Sequence, residues 1–245
     1  MRFKSQISVF TMNQAREIFK ATSKAVINLI GECIPIAGFV NDVYANLSQI
    51  QAERKIERLS KFLESVQISV GTIQDRLNTD YISKEDFTDI FEKTSRYIAN
   101  ERSEEKRNLF KNILLNSMLY KNSNYDKTER FFRILDLLGA DDMFVLTILR
   151  NPSEYNRKNG MIIKDPINNR YQWSQRKVYA IEMLCQLLHK EDDDVTEIIN
   201  MLFNNGLIKD RFLEKSLITN GNPIHVLDDS LTRMGIEFIS YSENV

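Results

Sequence analysis

The 245-residue sequence has few of the side chains on which enzyme catalysis and metal binding usually depend. It contains two histidines, His189 and His225, and two cysteines, Cys33 and Cys185. Neither pair has the spacing of a zinc site, and the sequence lacks the glycine-rich loops and zinc-protease motifs of nucleotide- and metal-dependent enzymes. So few histidines also argue against a serine or cysteine nucleophile activated by histidine. We therefore predict no catalytic residue, no metal and no cofactor.

Glycine and proline are also scarce, with eight and four residues respectively. A β-sandwich needs many turns, and turns are built mostly from glycine, proline, asparagine and aspartate. The shortage favours long helices. With 42% hydrophobic residues, the chain can bury the core of one large domain or of two small ones. The fold class predicted from composition is mainly α.

An excess of basic residues is missing, since the formal net charge is −1. Nucleic-acid binders usually carry such an excess, because neutralisation of phosphates supplies most of their affinity. The two distant cysteines do not indicate a disulfide framework. The basic start of the sequence is not followed by the apolar run and cleavage pattern of a signal peptide, which predicts a cytoplasmic location.

A long apolar run is missing as well, even in the most apolar segment, residues 28–47. Glu32, Pro35 and Asp42 interrupt this segment, whereas a spanning helix needs about 20 apolar residues. Proline breaks one helix and suits the first turn of the next, so we predict a joint between two helices. The simplest interpretation is a hairpin buried in a helical bundle. The alternative is a hairpin that inserts into a membrane or partner on activation, formed by Leu29, Ile30, Pro35, Ile36, Phe39, Val40 and Val43.

A heptad-like stripe follows this joint. Apolar residues separated by alternating steps of three and four are typical of a helix that packs along another helix. The stripe predicts either a bundle core or a surface for self-association, which makes a candidate oligomer stripe of Ile56, Leu59, Leu63 and Val66. Further amphipathic helices follow. One of them should begin at a capping box of Ser83 and Asp86, and another should end at Gly139. The first of these helices should bury Phe87, Ile90, Phe91, Thr94 and Ile98. We predict that residues 1–139 form a bundle of long antiparallel helices.

The pattern changes after residue 140. Helices alternate with short β-prone runs and with a hairpin signal, "TNGNP", which is the order of a winged helix-turn-helix. We predict a winged-helix-like α+β domain over residues 140–245. The helix in the recognition position should be capped by Asp194 and should end at the glycine of "NNG". It lacks lysine and arginine, which disfavours DNA binding through that helix. A basic patch that could still bind DNA consists of Arg150, Arg157, Lys158, Lys164 and Arg170.

The segment "ERSEEKRNLFKNILLNSMLY…NYDKTERFFRILDLLGADDMFVLTIL" resembles the bacterial abortive-infection alpha family. The apolar positions that carry the resemblance are Phe110, Leu114, Leu115, Phe131, Ile134, Leu135 and Leu138. The upstream "IPIAGFVNDVY…ERKIERLSKFLESV" is similar to the helix pair that precedes them in such proteins. The resemblance implies an anti-phage role that ends in cell suicide or growth arrest, and it implies no active site.

Three functional hypotheses follow. The first is a non-enzymatic anti-phage defence protein that acts through protein interaction, oligomerisation or membrane perturbation. The second is a winged-helix DNA-binding regulator, and the third is a scaffold subunit of a larger complex. Under the first hypothesis we expect a protein partner or self-association, association with a membrane only on activation, and no small-molecule substrate.

Overall fold

The computed structural model describes residues 49–158, 181, 184–210, 218–219, 222–223, 227 and 229–245. The chain divides into two compact units. The first unit ends at Asp136 and also includes Tyr241–Val245, and the second unit is Leu137–Ser240. The described residues are mainly helical, which confirms the fold class predicted from composition.

The first unit is built on a helix of 25 residues, α1 (Gln49–Ile73). The apolar stripe runs along one side of this helix, where every member from residue 56 to residue 73 is buried, while charged residues cover the other side. A single turn of 3-10 helix, Gln74–Arg76, ends it. The heptad-like spacing therefore predicted the buried face of α1 correctly.

Four more helices complete the described part of the first unit: α2 (Thr79–Ile82), α3 (Glu85–Asn100), α4 (Glu104–Ser117) and α5 (Tyr125–Leu137). Helix α1 packs against α3 and α4, and α3 packs against α4. The predicted inward face of α3 is confirmed, since Phe87, Ile90, Phe91, Thr94 and Ile98 are all buried. These buried apolar faces supply the main stabilisation of the described part of the unit.

The second unit contains α6 (Ala140–Arg150), α7 (Pro152–Lys158), α8 (Asp192–Asn204) and most of α9 (Arg233–Ser242). Helix α6 packs against α8, and apolar side chains of both helices, such as Val145 and Val195, are buried. Gly206 ends α8 with a φ of +71°, while its N–H and that of Leu207 bond back to the carbonyls of Phe203 and Leu202. This pattern is a Schellman motif, and it confirms the predicted glycine exit from the helix.

The structure does not support a winged helix. Among the described residues, strand pairing is limited to β1 (Ile218–Thr219) and β2 (Asn222–Pro223), an antiparallel pair of two residues each. An isolated bridge joins Ile208 and Leu231. A β-wing needs longer strands, since pairs this short form almost no ladder. The "winged-helix-like α+β" part of the prediction for residues 140–245 is therefore not confirmed.

Three predicted helix ends are wrong in detail. Helix α3 begins after Lys84 without a side-chain cap, so the predicted capping box of Ser83 and Asp86 does not form. Helix α8 begins after Glu191, one turn before the predicted cap Asp194. Gly139, predicted as the end of α5, caps the start of α6, where its N–H donates to Asp142 Oδ2 at 2.7 Å.

Candidate functional site

One groove of the first unit lies between α3, α4 and α5. Its volume is about 580 Å³, within the range of pockets that hold ligands or partner side chains. We call it the aromatic groove. Its walls are formed by Lys93, Arg96, Tyr97, Asn100, Glu101, Phe110, Glu129, Phe132, Arg133 and Asp136.

Three aromatic rings form the floor of the aromatic groove. The ring of Tyr97 stacks on that of Phe110, with 4.6 Å between the ring centroids and 7° between the planes. Phe132 lies 6.1 Å from Tyr97 and 6.0 Å from Phe110. Phe110 and Phe132 are buried and Tyr97 is half-buried, so Tyr97 presents the cluster to the groove. Such rings bury much area in a fixed geometry, which suits a contact surface.

Lys93, on the wall of the groove, is the centre of a hydrogen-bond network. Its Nζ donates to Glu129 Oε1 at 2.7 Å and to Tyr125 Oη at 2.8 Å, and it pairs with Asp89 Oδ2 at 2.8 Å. The Tyr125 hydroxyl also donates to Asp89. Burial lowers the pKa of Lys93, but the hydrogen bonds to Asp89, Glu129 and Tyr125 outweigh it and raise the pKa above its ordinary value. Lys93 is therefore a fixed cation that joins α3 to α5.

This network predicts an acid-sensitive step in stability. Burial raises the pKa of Asp89, but hydrogen bonds from Lys93 and Tyr125 outweigh it and hold the pKa below the ordinary value of 3.8. The contribution of Asp89 to the stability of the fold is therefore complete above its ordinary pKa. It is lost as the pH falls through the lower pKa of the folded state. We expect Asp89→Asn to flatten the fall in melting temperature between about pH 5 and pH 2. If the melting temperature of Asp89→Asn falls in parallel with that of the wild type over this pH range, the prediction is wrong.

The outer rim of the groove carries two arginines with exposed side chains. Arg96 is 63% exposed and lies 3.5 Å from Glu92, and Arg133 is 68% exposed and lies 4.0 Å from Glu129. Each pair is one helical turn apart, and such exposed pairs contribute little to stability. Both arginines are therefore free to exchange these contacts for contacts with a ligand.

The structure places the candidate oligomer stripe in the protein's own core. Ile56, Leu59, Leu63 and Val66 are at most 3% exposed and face the neighbouring helices of the first unit. A contact between chains through these residues would require the unit to open. The stripe is a core surface in this structure.

Most other predicted site residues lie outside the described residues. This holds for the whole candidate hairpin, Leu29, Ile30, Pro35, Ile36, Phe39, Val40 and Val43, and for Lys164 and Arg170 of the basic patch. Arg157 lies in α7, where the structure describes its backbone but not its side chain. Arg150 ends α6, and Lys158 pairs with Glu154 at 2.8 Å. The patch as a whole therefore stays a prediction.

Among the described residues, the side chains that could take part in catalysis do not lie together. His189 is exposed at the end of a helical segment, with a φ of +53°. Burial and a hydrogen bond to Asp192 raise the pKa of the Cys185 thiol to about 12, so this cysteine is a poor nucleophile. Within the part of the chain that the structure describes, no group of histidine, cysteine, aspartate and glutamate is arranged to hold a metal ion.

Sequence reasoning missed the residues of the aromatic groove. Tyr97 stands beside the buried stripe of α3, between Arg96 and Ile98, where the helical pattern changes from polar to apolar. A half-buried aromatic residue at such an edge is a signal that could have been used, since tyrosine and arginine are enriched at interfaces. The opposing side chains on α5 cannot be assigned without knowing how the helices pack.

None of the helices among the described residues combines the length and apolarity needed to cross a bilayer. No family model, no curated protein and no solved structure matches the chain. The similarity to the abortive-infection alpha family therefore stays a prediction from sequence.

Proposed function

We propose that the protein is a non-enzymatic binding protein and that the aromatic groove holds a segment of a partner protein. The observation that carries this proposal is the groove between α3 and α5, which a stacked tyrosine lines together with two exposed arginines. Tyrosine and arginine are the residue types that contribute most to binding energy at protein interfaces, above all beside a well-packed apolar centre.

The charges of the groove favour a peptide segment over a small apolar ligand. Arg96 and Arg133 supply cations, and Glu101 and Asp136 supply carboxylates on the same walls. A rim of both signs gives electrostatic complementarity and fixes the register of a polar chain. The amide of Asn100 is already held at both ends, since its Nδ2 donates to the carbonyl of Arg96 at 2.9 Å and its Oδ1 accepts from Lys55 Nζ at 2.6 Å. One N–H and one lone pair of this amide remain for a peptide backbone.

The DNA-binding alternative is less well supported. Helix α8 begins with Asp192, Asp193 and Asp194, all exposed, and carries no lysine or arginine. The phosphates of a DNA duplex would repel this turn. In a winged helix, the β-wing makes a second contact with DNA beside the recognition helix. The described part of the second unit has no such wing. A scaffold subunit of a larger complex would also need a groove that binds a partner protein. This alternative therefore differs from our proposal only in the cellular process in which the partner takes part.

The cellular role that we propose is anti-phage defence of the abortive-infection type. This part of the proposal rests on the resemblance of the segment around α4 and α5 to that family. An effector without catalytic residues would act through its partner, and the aromatic groove is the surface that we assign to that contact.

The proposal predicts that loss of the two rim arginines abolishes protection. The double variant Arg96→Glu and Arg133→Glu reverses the rim charge, and we expect normal folding because both side chains are exposed. Expressed in a bacterial host that is challenged with a panel of phages, the wild type should lower the plaque count at least tenfold for one phage. The double variant should restore that count.

The matched control is Arg130→Glu, an exposed arginine on the same helix but outside the groove. It should protect as well as the wild type does. Equal protection by the double variant would reject the groove, and absence of protection by the wild type against every phage would reject the defence role.

A further inference from the structure

A second groove of the first unit, which we call the basic groove, lies between α1, α3 and α4. Its volume is about 200 Å³. The lining residues are Arg58, Lys61, Phe62, Ser65, Ile98, Glu104, Arg107, Asn108 and Lys111. Four of these side chains are cations and one is a carboxylate, so the groove is strongly positive although the whole chain carries a net charge of −1.

The cations of the basic groove are held in place mainly by neutral partners. Arg58 Nη1 donates to the carbonyl of Ala99 at 2.9 Å, and Lys111 Nζ donates to Ser65 Oγ at 3.0 Å. Arg107 Nη1 donates to the carbonyls of Glu101 and Arg102 at 3.1 and 2.8 Å. These contacts fix the positions of the charged groups but do not neutralise them.

Only one of the four cations forms an ion pair among the described residues. Lys61 pairs with Glu57 at 2.9 Å on the exposed side of α1. Among the described residues, Arg58 and Arg107 each form hydrogen bonds through Nη1 alone. A guanidinium has five N–H donors, so both arginines keep donors for an anion.

The unbound groove is electrostatically unfavourable. Burial, followed by the charges of Arg107 and Arg102, lowers the pKa of Arg58 below its ordinary value. Burial also lowers the pKa of Lys111. Both directions mean that the surroundings disfavour the charged forms. An anion in the groove would reverse this effect, because an opposite charge within a few ångströms stabilises a cation.

We propose that the basic groove binds the phosphoryl group of a small phosphorylated ligand. Guanidinium groups match phosphate oxygens with paired N–H donors, and a lysine adds a point charge. Ser65 and Asn108 add neutral groups that can donate to the remaining oxygens. The groove is well above the roughly 30 Å³ of one water molecule and below the roughly 300 Å³ of drug-sized pockets, which suits a phosphoryl group rather than a whole cofactor.

The size and charge of the groove also favour a small ligand over a nucleic acid. Single-stranded nucleic acids bind along extended positive tracks with aromatic rings for the bases. Here the cations converge on one small cavity, its single aromatic residue Phe62 is buried, and Glu104 on its wall would repel a continuing chain of phosphates. The site is separate from the aromatic groove and does not depend on the function proposed for it.

Titration calorimetry with inorganic pyrophosphate and with a nucleoside triphosphate, at low and constant ionic strength, tests the proposal. We expect binding of both probes, with a melting temperature that rises with probe concentration. Equal affinities would show that the phosphoryl group is recognised by itself, and tighter binding of the nucleotide would show a further contact with the nucleoside. Either result supports the proposal.

The variant Lys111→Met removes a half-buried charge but keeps an unbranched apolar stem. We expect at least a tenfold weaker binding of pyrophosphate, because one charged hydrogen-bond donor is lost. In buffer without phosphate, we expect a higher melting temperature than that of the wild type, because an uncompensated charge has been removed. If Lys111→Met weakened binding only because the fold was destabilised, its melting temperature would be lower than that of the wild type.

The control variants are Lys84→Gln and Arg130→Gln, which remove exposed charges outside the groove. They should bind pyrophosphate as the wild type does. The proposal is wrong if neither probe binds, or if Lys111→Met binds pyrophosphate with unchanged affinity. It is also wrong if only DNA or RNA oligonucleotides bind, with the steep salt dependence of a polyanion.

Discussion

Replacement of Leu63 by alanine is expected to lower the free energy of unfolding by about 2–5 kcal/mol. Leu63 is 2% exposed in the stripe of α1, and the cavity left by its truncation would be lined by the packed side chains of the first unit. Urea denaturation followed by circular dichroism measures the change. The matched control is Ile68→Ala on the same helix, where the side chain is 66% exposed and we expect a change below about 0.5 kcal/mol.

The same pair of variants separates a core from an oligomer contact. If the stripe belongs to the core, Leu63→Ala leaves the molar mass from light scattering unchanged under native conditions. If it joins two chains instead, Leu63→Ala lowers the mass while the unfolding free energy of the monomer stays the same. That second outcome would contradict the structure and restore the self-association interpretation.

Replacement of Asn116 by aspartate is expected to destabilise the first unit by about 3–5 kcal/mol. Asn116 is buried, and its Nδ2 donates to the carbonyls of Tyr241 and Glu243 at 3.0 and 3.1 Å. The neighbouring Asn112 donates to the carbonyl of Ser242 at 2.8 Å. A carboxylate at position 116 would face these carbonyl oxygens without a proton to donate, so the chain from Tyr241 onward would be released.

Hydrogen exchange of residues 241–245, measured by mass spectrometry, reports this release directly. In the Asn116→Asp variant these amides should exchange faster than in the wild type, while Asn108→Asp, an exposed change on the same helix, should leave them protected. Since burial raises the pKa of a carboxyl group, the variant should recover stability as the pH falls through that raised pKa, and the recovery should be complete below about 4. Unchanged protection of these amides in Asn116→Asp would show that Asn116 does not hold this segment.

The stripe of α1 shows which part of the fold could be predicted from the sequence. Helical periodicity reports which side of a helix avoids water, so the buried faces of α1 and α3 were predicted residue by residue. It does not report what covers that side, and the stripe was therefore equally consistent with an oligomer. The helix starts were predicted less well because a cap depends on the backbone of the preceding residues, and Glu191 rather than Asp194 has the extended conformation that begins α8.

The two grooves could not be predicted for a related reason. Tyr97 and Arg133 are 36 positions apart in the sequence and stand at the edges of their helical stripes, where the pattern is ambiguous. Arg58 and Lys111 look like ordinary solvated charges, because the sequence does not show that their partners are a carbonyl and a hydroxyl. Both sites result from the packing of helices against each other, which single-sequence patterns do not specify.

The contacts of Asn112 and Asn116 also affect the order in which the chain can fold during synthesis. The hydrogen bond from Asn112 to Ser242 joins residues 130 positions apart, and the whole second unit lies between them in the sequence. A ribosome that has completed α4 must still translate that unit before the last part of the first unit exists. Until then the two buried asparagines have no partners in residues 241–243, so the nascent first unit remains incomplete and depends on late, long-range contacts that form slowly.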